Sequence, residues 1–236
     1  MHSPDGLEIV ERCEGCRAQG GRGFCDLPDS ARRALDAVKL TGVYPRGALL
    51  FAEGQPARGV YVLCSGRVKL SASSRDARVI ITRIVRAGEI LGLCATLSGG
   101  PYEVTAETLE PCQASFVGRA DFMRLLSAHA AASMRAAEQL GRNYSAALEQ
   151  VRMLGLSHSA AAKFARFLLE AGEGRGARED RLKLALTHEE IGQLIGASRE
   201  TVTRLFSEFK QENLIRVEGA TLLLNDRAAL EARARR

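Results

Sequence analysis

From Leu186 to Ile215 the chain reads LTHEEIGQLIGASRETVTRLFSEFKQENLI, a stretch that carries its own punctuation. Thr187 followed three residues later by Glu190 has the form of a capping box, in which each side chain satisfies the other residue's backbone N–H. Gly196 ends that helix, because the left-handed exit is least costly for glycine. Ser198 is placed to cap a second helix. On that second helix Val202, Leu205, Phe206 and Phe209 fall at i, i+3, i+4 and i+7, one apolar stripe to bury. Ile191, Leu194 and Ile195 of the first helix are its natural packing partners. The following LIRVEGATLLLN reads as a hairpin turning at Glu218-Gly219. Two helices, a glycine turn and a hairpin in this order compose a winged helix-turn-helix.

With the stripe inward, Arg199, Glu200, Thr203 and Arg204 face outward at the helix N-terminal end, the end that enters the major groove in such motifs. Arginine donates two hydrogen bonds to O6 and N7 of guanine, and a carboxylate accepts from N4 of cytosine. A carboxylate beside phosphates is otherwise unfavourable, so Glu200 makes most sense as a base reader. Thr187 and Ser198, at the two helix starts, complete the expected DNA-contacting set. The plainer reading is a solvated face with an i,i+4 ion pair between Glu200 and Arg204. His188 reads as an exposed helix-start residue within reach of a phosphate.

Upstream, the periodicity divides the rest of the chain. Residues 1–28 are polar, Gly-rich and hold Cys13, Cys16 and Cys25; PDSARRALDAVKL then reads as a short helix. From Tyr44 to about Arg119, short β-branched strands alternate with glycine turns at the spacing of a sandwich or jelly roll. Beyond residue 120 the period becomes helical. Leu126, Ala130, Ser133, Ala137, Leu140, Tyr144, Ala147, Val151 and Leu154 follow alternating steps of four and three, a coiled-coil seam. Its bulkier members Leu126, Leu140, Tyr144 and Val151 are the expected dimer contacts. A helix packed on its own sheet is the alternative. Ser157 is placed to cap the next helix, and the tail DRAALEARARR reads as a fraying basic helix. The expected division is therefore 1–28, a β-roll over 29–120, a dimerisation helix over 121–154 and the winged helix-turn-helix over 155–236.

Composition narrows the class without deciding it. The net charge of +5 suits a polyanion but is spread over both halves, so it is weak evidence for nucleic acid. No apolar run approaches the length of a membrane span. The first residues lack a basic segment followed by an apolar one, so a cytoplasmic chain is expected. In that reducing setting the six cysteines are better read as free, metal-bound or redox-active than as paired. No nucleophile–base set suggests an enzyme.

A roll, a long helix and EEIGQLIGASRETVTRLFSEFKQENLI in that order resemble the Crp/Fnr family of bacterial transcription regulators. The resemblance implies an α+β chain: an N-terminal double-stranded β-helix of the cyclic-nucleotide-binding kind, a long dimerisation helix and a C-terminal winged helix-turn-helix. It also implies a homodimer on double-stranded DNA at a palindromic operator, recruiting or blocking RNA polymerase. Arg199, Glu200 and Arg204 stand where the cyclic-AMP receptor branch has its base-reading Arg, Glu and Arg, implying a half-site close to TGTGA.

The resemblance leaves the signal open. In the cyclic-AMP branch a Glu follows a Gly, and an Arg-Ser pair further on holds the cyclic phosphate. Here, in GEILGLCATLSGGPYEVTAET, Leu93 follows Gly92, and Gly100-Pro101 occupies the Arg-Ser region. A buried phosphate there would lack a counter-charge unless Arg58, Arg67 or Arg83 approached from another strand. The cysteines resemble instead the oxygen-sensing Fnr branch, whose [4Fe–4S] cluster takes three N-terminal thiolates and one from the roll; Cys13, Cys16, Cys25 and Cys112 are the corresponding set. The third cysteine stands further along than in that branch, and the roll position aligns with Ser115. Zinc on the same four ligands and no metal at all are the alternatives. Cys64 and Cys94 read as small core residues. A redox, oxygen or nitric oxide signal is thus expected, with a small ligand in the roll as the alternative.

Overall fold

A computed structural model describes residue 13 and residues 23–155, 159–172, 181–183, 186–219 and 221–235. Cys16, Ser157 and His158 lie outside the described residues. The chain divides into two compact units, Met1–Ala147 and Leu148–Arg236.

The first unit opens with α1 (Asp29–Val38) and then alternates short strands: β1 (Leu40–Tyr44), β2 (Leu49–Phe51), β3 (Gly59–Ser65), β4 (Arg67–Ser73), β5 (Val79–Arg86) and β6 (Ile90–Leu91). A short helix, α2 (Leu93–Ser98), precedes β7 (Thr105–Thr108) and β8 (Cys112–Gly118). These strands form two four-stranded antiparallel sheets, ordered β1-β8-β3-β6 and β2-β7-β4-β5. The chain crosses repeatedly from one sheet to the other, which closes the roll around Leu63, Val68, Val85, Leu91 and Ala114. A second cluster, built on Phe24, Leu35, Val60, Ile90 and Phe122, joins the roll to α1 and the helices that follow.

Those helices are α3 (Arg119–Ala128) and α4 (Ala130–Gly155). The heptad steps predict one continuous helix, but the chain turns extended at His129 (φ −131°, ψ 98°). The break is locally satisfied: the Ser133 hydroxyl donates to the Leu126 carbonyl at 2.7 Å, and His129 N–H to Leu125 O at 3.0 Å. A polar side chain serving the orphan carbonyls of a helix end stabilises a stop that no glycine or proline announces.

The second unit comprises the end of α4, then α5 (Ala160–Gly172), β9 (Arg181–Lys183), α6 (His188–Ile195), α7 (Arg199–Gln211), β10 (Ile215–Glu218), β11 (Thr221–Leu224) and α8 (Arg227–Ala234). The wing is a three-stranded antiparallel sheet ordered β10-β11-β9. The sequence reading has only the hairpin, because three residues of β9 are too few to show a period. The tail also differs from the expected fraying helix. The Asp226 side chain caps α8, Leu230 is fully buried, and Arg233 pairs with Glu208 and Glu212 while lying over the Phe209 ring. Burying one leucine contributes about 1.5–3 kcal/mol, enough to hold two helical turns in place. No described helix is long and apolar enough to cross a membrane.

Candidate nucleic-acid interface

The recognition face is built from the two caps inward. Thr187 Oγ1 accepts from Glu190 N–H at 3.2 Å, and the Glu190 carboxylate accepts from Thr187 N–H at 2.8 Å. At the other end of α6, Gly196 is left-handed (φ 68°). A Cβ on Gly192 would meet the Ala197 carbonyl at 2.5 Å, so the turn closes on α6 only because that position is glycine. Ser198 Oγ accepts from Thr201 N–H at 3.2 Å and starts α7. Each such cap contributes about 1 kcal/mol. Beneath, Ile191, Ile195, Val202, Leu205, Phe206 and Phe209 are buried, with Phe164 of α5 edge-on to Phe206 and Phe209 at 4.9 and 5.1 Å.

Burying that stripe turns Arg199, Glu200, Thr203, Arg204 and Ser207 outward, where they line one open concavity. Arg199 and Arg204 enter no ion pair with a carboxylate at salt-bridge distance among the described residues. The solvated-face alternative required Glu200 to pair with Arg204. Among the described residues no such pair forms; hydrogen bonding at the helix start, from the backbone and then the Ser198 hydroxyl, and after it the Arg199 charge, lower the Glu200 pKa from its ordinary value. It is therefore ionised and acceptor-only, the form cytosine N4 requires.

His188 differs from its expected place. It is half-buried, its ring stacked on Phe206 (4.6 Å, 11°) and its Nδ1 2.9 Å from Thr203 Oγ1. The Thr203 hydroxyl donates to Arg199 O at 3.0 Å, so His188 Nδ1–H is the donor to Thr203. Burial, then the charges of Arg199 and Lys210, push the His188 pKa down from 6.5. Neutral His188 thus ties α6 to a residue in the middle of the recognition face. Its position in the first turn of α6 carries no sign of this, because the contact depends on how the two helices cross.

On α4 most of the expected seam is exposed: Ala130, Ser133, Ala137, Tyr144, Ala147 and Val151 all face outward. Tyr144 and Val151 are exposed, as are Met134 and Leu148. Leu126 lies on α3, and Leu126 and Leu140 pack against their own chain's core. Gly141 takes the outward position beside Leu140, with open space around it.

The cysteines are divided. Cys13 and Cys25 belong to the cluster between the roll and the helices, whereas Cys112 is fully buried in the cluster inside the roll. The Cys112 thiol donates to the carbonyls of Glu110 and Arg67 at 3.1 and 3.3 Å. Cys13 Sγ accepts from Lys39 Nζ at 3.2 Å, and its N–H donates to Asp36. Burial is the main cause that pushes both thiols up to about 11. A cluster or zinc site needs converging thiolates. Among the described residues no group of three His, Cys, Asp or Glu is placed to hold a metal ion. The described cysteines do not fit a [4Fe–4S] cluster or zinc.

Inside the roll, the segment following Gly92 closes on itself. Tyr102 is buried and stacked on Phe51 (3.9 Å, 17°), and its hydroxyl donates to Gly59 O at 2.8 Å. Of the arginines named above for a phosphate, Arg67 is held by Glu110 (2.8 Å) and Arg83 by Glu89 (2.5 Å), while Arg58 is exposed.

Comparisons with known proteins agree with this arrangement. Residues 42–129 match the cyclic nucleotide-binding domain family and residues 162–233 the Crp-like helix-turn-helix domain family. The chain is 30% identical over 215 residues to the CRP-like cAMP-activated global transcriptional regulator of Mycobacterium tuberculosis, covering 90% of this chain and 96% of that protein. It is 30% identical over 232 residues to the HTH-type transcriptional regulator Cmr of Mycobacterium tuberculosis, covering 98% and 91%. Among solved structures, FixK2 from Bradyrhizobium japonicum shares the fold with a TM-score of 0.73 at 23% identity, over 83% of this chain and 96% of that one. A CRP-family transcriptional regulator from Thermus thermophilus superposes with a TM-score of 0.70 at 25% identity, over 83% and 97%. A nucleotide-binding-type roll followed by a winged helix-turn-helix, over nearly the full length of such relatives, means that the chain belongs to the Crp/Fnr family of DNA-binding transcription regulators.

Proposed function

We propose that the chain acts in the cytoplasm as a homodimer on a palindromic operator, with the base-facing ends of Arg199, Glu200 and Arg204 reading each half-site. Thr203 joins them on the same face, and Thr187 and Ser198 sit at the helix starts that approach the phosphates. The observation that carries this reading is the outward face of α7. Two guanidiniums and a carboxylate line one concavity there, over a stripe that cannot turn outward without exposing the core. The exposed Met134, Tyr144, Leu148 and Val151 on α4 support a dimer, which would present two such faces to a two-fold site. Recruiting or blocking RNA polymerase follows from family likeness.

The input is a separate matter. A redox, oxygen or nitric oxide signal through Cys13, Cys16, Cys25 and Cys112 would need the roll cysteine to join the N-terminal ones, and the burial of Cys112 among roll carbonyls argues against it. The relative named as cAMP-activated makes a cyclic nucleotide the alternative. The commitment of Arg67 and Arg83 to carboxylates argues against that too.

A gel-shift with a TGTGA-type palindrome tests the DNA reading. Arg199→Ala is expected to lose roughly 1–3 kcal/mol of discrimination at one base pair per half-site while other positions keep theirs. Unchanged preference at every base pair in that variant would show that Arg199 reads no base.

A further inference from the structure

The aromatic stack inside the roll does more than fill space. Tyr102 is fixed from several sides at once. Its N–H donates to Gln55 O at 2.8 Å, and its C=O accepts from Gly54 N–H at 2.8 Å. The neighbouring Pro101 forms a bridge with Pro56. Its ring lies flat on Phe51, whose centroid is also 6.0 Å from that of Tyr61. Its hydroxyl shares the Gly59 carbonyl with the Thr96 hydroxyl, each at 2.8 Å. Opposite, Gly92 is left-handed (φ 73°), and a Cβ there would meet the ring at 2.6 Å. Gly92 therefore gives the ring its room as well as the turn its conformation. Gly92, Thr96, Pro101 and Tyr102 lie in the stretch where the family resemblance puts a cyclic phosphate.

We propose that the roll interior is a self-filled aromatic site, with Tyr102 as its resident occupant in place of a diffusible ligand, so that this chain binds DNA without a small molecule in the roll. The ring supplies what a planar ligand would supply: a stacking face for Phe51, a donor for Gly59 O and a surface against Gly92. A cyclic nucleotide would have to expel that ring, strip Gly59 O of one donor and bring in a phosphate. Arg67 and Arg83 are already paired with Glu110 and Glu89, Arg58 is exposed and its charge acts on the Tyr102 hydroxyl, and Leu93 follows Gly92. The site thus selects an uncharged aromatic hydrogen-bond donor, and the chain carries one.

The inference rests on the regulator reading only for its DNA arm; melting of the full-length protein reads the site independently. Cyclic AMP and cyclic GMP at millimolar concentration are expected to leave both the melting temperature and the operator affinity of the wild type unchanged. Tyr102→Ala is expected to melt lower and to bind the operator roughly tenfold more weakly, because only a fraction of chains then hold the competent form. A phenol of matching shape, p-cresol, is expected to restore part of both losses in Tyr102→Ala, and toluene, lacking the donor, to restore less. A cyclic nucleotide that raises the melting temperature or operator affinity of the wild type would overturn the proposal. So would a folded Tyr102→Ala chain that binds as tightly as wild type and ignores p-cresol. Should Tyr102→Ala fail to fold, Tyr102→Phe keeps the stack and is expected to stay within about twofold of wild-type affinity. A larger loss in Tyr102→Phe, or any response of it to cyclic AMP, counts against the filled site. If no duplex is bound by any variant while p-cresol still raises the melting temperature of Tyr102→Ala, the DNA reading fails and the site stands.

Discussion

Thr203 owes its orientation to a histidine fifteen residues away, and that bond should be visible in a titration. The folded chain holds the His188 pKa below its unfolded value of 6.5. Between the two values the unfolded chain binds a proton that the folded chain refuses, so this residue costs stability as pH falls below 6.5 and has no such effect above it. Thermal midpoints of wild type and His188→Asn, compared through that interval, should show a steeper acid loss in the wild type. Parallel curves would mean that His188 does not titrate against the fold. The outward placement of Arg199, Glu200 and Arg204 was legible from the sequence because the stripe of Val202, Leu205, Phe206 and Phe209 leaves them one direction to face. His188 was not, since its partners are set by a helix crossing that no local spacing encodes. Tyr102 was hidden likewise, because its ring meets Phe51 and Gly92 only after the sheets have closed.

Among the elements, α4 carries two different interactions on its faces. On the buried face Gln139 is fully enclosed, and its amide accepts from Ile90 N–H at 2.9 Å and donates to Ile90 O at 2.6 Å. The pair pins α4 to β6, two residues before Gly92. Gln139→Leu leaves both backbone groups of Ile90 buried and unpaired, an expected loss of about 1–3 kcal/mol per group, read as a lower denaturant midpoint with unchanged slope. On the free face, replacing exposed Tyr144 and Val151 by Asp should convert a dimer to a monomer by light scattering without lowering the melting temperature of the monomer. A dimer that survives both changes must be held elsewhere. The heptad steps predict a helix here correctly, yet they run through His129 because alanine-rich sequence looks alike on both sides of the break. They also choose Leu140 over Gly141, since spacing alone cannot tell a face that packs on its own roll from one left open.

At the scale of the whole molecule, a sensory roll with a self-filled interior and a DNA-reading unit share one long helix that belongs partly to each. The order of strand period, helix period and capped helix pair was legible because each period persists for many residues. Strand β9, helix α2 and the destination of each cysteine were not, because short elements and single buried thiols leave no periodic trace. The central claim is that the outward face of α7 reads base pairs, twice per dimer. Sequencing the duplexes that the full-length protein retains from a random pool tests this without presupposing an operator. The account predicts enrichment of an inverted repeat whose half-sites lie about one helical turn apart, each with a G·C pair that disappears from the Arg199→Ala pool. Retention of duplexes with no shared sequence, or a repeat whose G·C pair survives in the Arg199→Ala pool, would contradict it.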